Sequence, residues 1–158
     1  MSEIDVAEVF LWGTRIGIVT WDKKRSLAEF QYDEKFVHSG IQVSPIMMPL
    51  SDKVYSFPAL KRKAFKGLPG FLADSLPDKF GNKLIDEWLL RQGRKLKDFT
   101  PIERLCYIGD RGMGALEYLP SKSLTEKIND NVAIDEIVKL ASSIVSRKKK
   151  QKAKIEDE

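Results

Sequence analysis

Residues 6–32 read VAEVFLWGTRIGIVTWDKKRSLAEFQY, a run in which three short apolar segments are separated by turns. The first segment covers residues 6–11, and the second, rich in β-branched residues, covers 16–21. Polar residues follow at 22–25, and residues 27–32 then alternate again. Because alternation interrupted by short turns is typical of consecutive hairpins, this stretch is predicted to form an antiparallel meander.

Two helices and a returning strand are predicted downstream. Asp78 precedes an apolar pattern with helical spacing and Gly93 follows it, which predicts a helix capped at both ends. The members of that apolar face are Phe80, Leu84, Ile85, Trp88 and Leu89. Residues 100–103 (TPIE) form a capping-box signature for a second helix, which would end near Gly109. Residues 115–119 then form a strand that ends at Pro120.

The middle of the chain is less regular. Residues 36–40 fit one helical turn or a loop. Residues 41–50 contain two prolines, which favour an extended edge or an irregular path. Residues 64–70 (AFKGLPG) contain two glycines and a proline, so they are predicted to form a loop.

The fold class that follows is α+β, with an antiparallel sheet of short strands, helices packed on one side and a C-terminal helix. The folded unit is predicted over 1–120, followed by a polar linker at 121–131. Apolar residues at helical spacing between 134 and 145 predict the C-terminal helix. That helix and a charged tail make up residues 132–158.

Composition excludes several classes of protein. The chain has 158 residues, a formal net charge of +4, one cysteine and one histidine. A single cysteine excludes a disulfide framework and a multi-thiolate metal site. No apolar run approaches the ~20 residues that a membrane helix needs. The acidic start MSEID does not resemble a signal peptide, so a cytoplasmic location is expected.

Few residues are candidates for chemistry. The glycine-rich segment 109–114 (GDRGMG) would bind a phosphate through its backbone N–H groups, but its spacing fits no known nucleotide loop, and a tight helix-to-strand connection is favoured. Asp74 and Asp78 are spaced to share a helix face and hold a cation, although capping by Asp78 is favoured. Ser75 has no neighbouring base to activate it.

The remaining candidates favour structural roles. His38 has no partner signals, and Cys106 falls on the predicted buried side of its helix. Trp12, Trp21 and Trp88 are core candidates, with one near a strand turn as a possible interface anchor. No catalytic, cofactor-binding or metal-binding residue is assigned, and no cofactor is expected.

Two segments resemble one family of proteins. Residues 71–82 (FLADSLPDKFGN) are similar to a segment of HipA-type toxins, and residues 103–116 (ERLCYIGDRGMGAL) are similar to a second. The opening hairpin, with Leu11, Gly13, Ile16 and Gly17, also matches the start of that family. The resemblance spans about residues 5–120 in the family's order and identifies that region as a HipA N-terminal-like domain.

The resemblance implies a place in a bacterial toxin–antitoxin system. HipA proteins are serine/threonine kinases, and an aminoacyl-tRNA synthetase is among their targets. A HipB-like helix-turn-helix antitoxin binds them and represses the operon, so contact with DNA would be indirect. ATP binding and catalysis belong to the larger C-terminal portion, so no catalytic residue is carried over to this chain. Whether the chain by itself is an enzyme is left open.

Three functions remain in competition at this point. The first is a non-catalytic module that docks on a HipA-like kinase core, in cis or in trans, on the antitoxin, or on both. The second is a nucleic-acid-binding protein that uses 61–63 (KRK) and the basic run at 147–154. The third is a phosphotransferase or phosphate-binding activity of segment 109–114. The sequence alone does not distinguish a natural split subunit from a truncated toxin, and the chain is expected not to contact a membrane.

Overall fold

The structure is a computed structural model that describes residues 4–108 and 115–121, together with Lys139. Three predictions therefore fall outside the described residues, apart from Ser121 and Lys139. They are the glycine-rich segment at 109–114, the linker at 121–131 and the C-terminal helix and tail at 132–158.

One antiparallel sheet forms the centre of the fold. Its strands are β1 (Val6–Leu11), β2 (Thr14–Asp22), β3 (Leu27–Tyr32) and β4 (Leu116–Pro120). The order across the sheet is β3-β2-β1-β4, so the returning strand pairs with the first. This arrangement confirms the predicted meander, the predicted strand at 115–119 and the α+β class.

The first hairpin turns through two residues, Trp12 and Gly13. Their φ angles are 48° and 77°, both in the left-handed region, as a type I′ turn requires. Glycine adopts this conformation freely, whereas tryptophan does so at a cost of about 1–2 kcal/mol. The pairing then shifts between Val9 and Phe10, where Ile16 is an extra residue that forms a bulge in β2.

Among the described residues between β3 and β4, there are five helices. They are α1 (Glu34–Val37), α2 (Arg62–Phe65), α3 (Gly70–Ala73), α4 (Lys79–Arg91) and α5 (Pro101–Ile108), with a short 3₁₀ turn at Leu96–Asp98. The first three helices are single turns. The helix predicted to begin after Asp78 and the one predicted after Thr100 are confirmed.

The loop predicted at 64–70 is only partly correct. Residues 64–65 complete α2, and α3 already begins at Gly70. The left-handed Lys66 and Gly67 separate the two helices, so glycine marks the break between helices rather than a continuous loop. Residues 41–50 follow the predicted irregular path.

The main core lies on one face of the sheet. The strand residues that pack there are Ala7, Val9, Val19, Ala28, Phe30, Tyr32 and Tyr118. Phe36 of α1, Leu72 of α3 and Leu105 of α5 belong to the same buried cluster. The helices α1, α3 and α5 therefore cover the same side of the sheet, as predicted.

A second, smaller cluster lies under α4. Ile85 and Leu89 are buried there against Phe99, with Trp88 at its edge. Because α4 belongs to a cluster separate from the main core, the polar contacts that tie it to α5 add to the apolar packing that holds it. Among the described residues, none of the helices has the length and apolar character needed to cross a membrane.

Candidate docking surface

The start of α4 is built by a tight loop. The Asp78 carboxylate accepts a hydrogen bond of 2.8 Å from the Gly81 N–H, which confirms the predicted cap. The Asn82 side-chain amide donates to the Pro77 carbonyl at 3.1 Å. A side chain at Gly81 would place its Cβ 2.9 Å from the Pro77 Cβ, so only glycine lets the loop fold against the helix. This loop therefore sets where α4 begins and which way it points.

A single arginine ties α4 to α5. The Arg104 guanidinium donates to Asn82 Oδ1 and to Asp86 Oδ1, both at 3.0 Å. The same guanidinium lies 5.5 Å from the centre of the Phe99 ring. Because Asn82 and Asp86 are four residues apart on one helix face, one planar group reaches both. We call these three residues and their contacts the Arg104 clamp.

Glu103 anchors the start of α5. Thr100 Oγ1 accepts from the Glu103 N–H at 3.2 Å, as the predicted capping box requires. The Glu103 carboxylate, however, is buried and accepts from the Ile4 N–H at 2.7 Å and from Arg94 at 3.1 Å. The carboxylate thus joins the segment before β1, the segment after α4 and the start of α5.

The outer face of α4 is apolar and exposed. Phe80 and Leu84 have exposed fractions of 69% and 51%, whereas Ile85 and Leu89 are buried. The predicted single buried face is therefore wrong for Phe80 and Leu84, because the helix packs through its Ile85–Leu89 side. Positions 80, 84 and 88 follow one another along the helix at four-residue intervals.

Trp88 extends this exposed face towards α5. Its ring lies 5.3 Å from the ring of Tyr107, measured between centroids, and Tyr107 is about half exposed. We call Phe80, Leu84, Trp88 and Tyr107 the α4 ridge. The ridge combines exposed apolar area with aromatic rings, the composition typical of the centre of a protein interface.

The residues that the sequence offered for cation binding and nucleophilic chemistry do not form such a site. Asp74 follows α3 and Asp78 precedes α4, so the two do not share a helix face as predicted. The Ser75 hydroxyl accepts from the Tyr118 hydroxyl at 2.8 Å, which links the loop before α4 to β4. Across residues 4–108 and 115–121, no three His, Cys, Asp or Glu side chains gather where they would hold a metal.

Cys106 and Tyr118 lie beside that loop and keep their protons. Burial, with a smaller effect from Glu103, raises the pKa of the Cys106 thiol to about 12. Burial also raises the pKa of Tyr118, although its hydrogen bond to Ser75 partly opposes the increase. Cys106 is half-buried at the edge of the core, and a thiol with this pKa is a poor nucleophile at neutral pH. His38 lies exposed at the end of α1.

The tip of the first hairpin forms a second exposed feature. Trp12 is 80% exposed, while Trp21 and Trp88 are partly buried. The predicted core position is therefore wrong for Trp12, which is the exposed tryptophan near a strand turn. A groove of about 420 Å³ runs beside it, lined by Phe36, Ile41 and Arg15 among others. We call Trp12 and this groove the hairpin groove.

An ion pair joins the two sides of the hairpin groove. Arg15 donates to Asp33 Oδ2 from two nitrogens, at 2.8 and 3.0 Å, and both side chains are almost fully buried. The other Asp33 oxygen caps α1 by accepting from the Lys35 N–H at 2.9 Å. One carboxylate therefore fixes both the start of β2 and the start of α1, the two sides of the groove.

A comparison with known protein families finds one whose model matches most of the described structure. The family model described as "HipA N-terminal domain" matches residues 7–119. The match covers all four strands except the first residue of β1 and the last residue of β4, and it includes the α4 ridge and the Arg104 clamp. No curated protein matches the chain.

Proposed function

The chain belongs to the family of HipA N-terminal domains, and on that premise we propose that it is a non-catalytic docking module of a HipA-type toxin–antitoxin system. Its α4 ridge binds the kinase core of such a system, whether that core lies on the same polypeptide or on another. In this proposal the catalytic residues belong to the kinase core, and this chain supplies a surface to which the core binds.

The exposed α4 ridge is the observation that supports this proposal. Phe80 and Leu84 lie on a helix whose other side already has a packed cluster, so the helix does not need them to fold. Such exposed apolar surface marks interaction sites on soluble proteins. Charged Lys83, Glu87 and Arg91 neighbour the ridge on the same helix, as expected of the polar rim around an interface.

Rigid positioning of α4 supports it as well. The Asp78 cap and the Arg104 clamp fix the helix before any partner arrives. A surface that is already ordered loses less conformational entropy on binding than one that must be ordered by the partner. Asp78 and Arg104, one from each of the two HipA-like segments, thus act by holding the ridge in place.

Phosphoryl transfer needs positioned carboxylates, Mg²⁺ and a lysine that binds the phosphates. Asp78 is occupied as a helix cap, and Ser75 receives the Tyr118 hydroxyl. We assign no catalytic residue to this chain. The carboxylates, the metal and the nucleotide would then be held by the kinase core.

The test compares two doubly substituted full-length chains binding to a purified HipA-type kinase core. F80D/L84D places two charges on the ridge, and I46D/M47D places them on equally exposed apolar residues elsewhere. Because interface hot spots contribute about 2 kcal/mol or more each, we expect F80D/L84D to weaken binding at least a hundredfold. The control should bind like the unchanged chain. Equal affinities for the two variants would contradict the proposal.

A second docking role is favoured by the hairpin groove. Trp12 adopts a left-handed φ of 48° at 80% exposure, although asparagine or glycine would suit that turn better. We propose that this tryptophan anchors the helix-turn-helix antitoxin. W12A should lower antitoxin affinity at least tenfold and leave kinase-core affinity unchanged. Loss of both affinities together would indicate a folding defect instead, which circular dichroism would detect.

A further inference from the structure

Two basic segments that are far apart in the sequence meet at one corner of the fold. The first is the turn between β2 and β3, residues 22–26, and the second is α2 with Lys66. Arg62 of α2 donates to the backbone carbonyls of Ser26 and Arg25, the latter at 3.0 Å. The arginine therefore uses its side chain to hold the turn against the helix.

Backbone packing keeps the two segments together. The Ala28 N–H donates to the Gly67 carbonyl at 2.9 Å, which pairs the start of β3 with the end of α2. A Cβ at Gly67 would lie 2.7 Å from the Ser26 carbonyl oxygen. Gly67 therefore allows a contact that no other residue permits, and the corner is preorganised.

The result is a cationic surface, which we call the basic corner. Its exposed members are Lys23, Lys24, Arg25, Lys61, Arg62, Lys63 and Lys66. Three carboxylates neutralise part of this charge.

Each of the three carboxylates already has a contact within the corner. Asp5 pairs with Lys23 at 3.0 Å, Glu29 pairs with Arg25 at 3.5 Å, and the Asp22 carboxylate accepts from the backbone N–H of the turn. Four lysines remain exposed and form no ion pair with any residue that the structure describes. They are Lys24, Lys61, Lys63 and Lys66.

The chemistry of the corner differs from that of the α4 ridge. Protein interfaces are enriched in aromatic residues and depleted in lysine. The exposed side chains at 22–26 and 61–66 are instead lysine and arginine, with only Ser26 and Ala64 beside them. Clustered lysines among few exposed apolar side chains fit a chain of phosphates, which binds through charge neutralisation and counterion release.

We propose that the basic corner binds the phosphate backbone of duplex DNA without reading its sequence. This direct contact goes beyond the indirect contact expected from the HipA resemblance. It adds the β2–β3 turn to the basic residues 61–63 of the nucleic-acid alternative, it does not need the basic run at 147–154, and it does not depend on kinase docking. With about four phosphate contacts, the logarithm of the affinity should fall with the logarithm of salt concentration at a slope of about −3.6.

The experiment measures anisotropy of a fluorescent 20-base-pair duplex with the full-length chain and three charge-reversed variants. K24E/K63E changes the basic corner while leaving Arg62 to hold the turn. K35E/K53E makes the same charge change beyond the opposite end of β3, about 20 Å away. The third variant, K148E/K149E, changes the basic run.

We expect K24E/K63E to bind DNA at least tenfold more weakly and to lower the salt slope by about 1.8, while K35E/K53E stays within threefold of the unchanged chain. Equal binding by K24E/K63E and K35E/K53E, with a loss only in K148E/K149E, would overturn the proposal. Binding of a polyglutamate peptide through Lys24 and Lys63, without binding of DNA, would also overturn it and indicate an acidic protein partner.

Discussion

Removing the Arg104 side chain should release α4 from α5 while the sheet stays folded. Arg104→Ala deletes the two 3.0 Å hydrogen bonds to Asn82 and Asp86, together with the guanidinium above Phe99. The substitution leaves the main core intact, because Arg104 contributes nothing to it. The expected result is therefore local loss of order in α4.

The exposure of the Arg104 and Asp86 side chains determines how much free energy α4 loses in the variant. Hydrogen bonds to charged groups contribute about 1.5–3 kcal/mol each, and exposed ion pairs about 0–1. The Arg104 side chain is 19% exposed and that of Asp86 is 36% exposed, so water replaces part of what is lost. We therefore expect a loss of about 2 kcal/mol, which corresponds to about a 30-fold change in the opening equilibrium of α4.

Hydrogen–deuterium exchange resolved by mass spectrometry measures this opening. Peptides within 79–91 should exchange about 30-fold faster in the variant, while peptides from β2 should change much less. Arg91→Ala is the matched control, since Arg91 lies on the same helix, is exposed and forms no side-chain hydrogen bond or ion pair with the described residues. It should stay within 0.5 kcal/mol of the unchanged chain, roughly the range of surface substitutions.

Two results would refute the reasoning. If R104A speeds exchange in α4 no more than R91A does, the clamp does not hold the helix. If β2 and α4 accelerate by the same factor, α4 is part of a single cooperative unit and is not anchored separately. R104K, which keeps the charge but loses the planar fork, should fall between R104A and the unchanged chain.

Further predictions concern stability. G17A places a Cβ 2.4 Å from the Gln31 carbonyl oxygen, so it should lower the free energy of unfolding by about 3 kcal/mol or more; a urea midpoint within error of the unchanged chain would refute this. W12N should raise the free energy of unfolding by up to about 1 kcal/mol, because asparagine tolerates positive φ better than tryptophan. The same substitution should weaken antitoxin binding. A melting temperature below that of the unchanged chain would contradict the stability prediction. Folding raises the pKa of Cys106 from 9.0 to about 12 and also raises that of Tyr118, so the unfolded chain loses these protons at a lower pH than the folded chain. The contribution of these two groups to the free energy of unfolding should be fully present below pH 9 and should fall from pH 9 towards 12. A flat profile over that interval in denaturant titrations would refute this.

Local patterns in the sequence predicted most of the regular structure. The meander at 6–32 follows from alternation between short turns, and the Asp78 cap follows from its position ahead of a helical pattern. Both depend on residues that are neighbours in the chain. Such local interactions can be predicted without knowing the tertiary packing.

Tertiary contacts account for what the sequence did not show. Helical spacing placed Phe80 and Leu84 on an apolar helix face, but it does not show which side chains of that face are buried. Arg104 reaches α4 across 18 to 22 residues of chain, and no local motif signals such a contact. The basic corner likewise exists only because the β2–β3 turn meets α2, although each segment was visible as a basic run.

The central claim is that the α4 ridge is the surface that docks on a kinase core. Hydroxyl-radical footprinting of the full-length chain, with and without a purified HipA-type core, tests it most directly. The account predicts that oxidation of Phe80, Leu84 and Trp88 falls at least fivefold in the complex, while exposed Ile46 keeps its rate. Unchanged oxidation of the ridge in a complex that has demonstrably formed would contradict it.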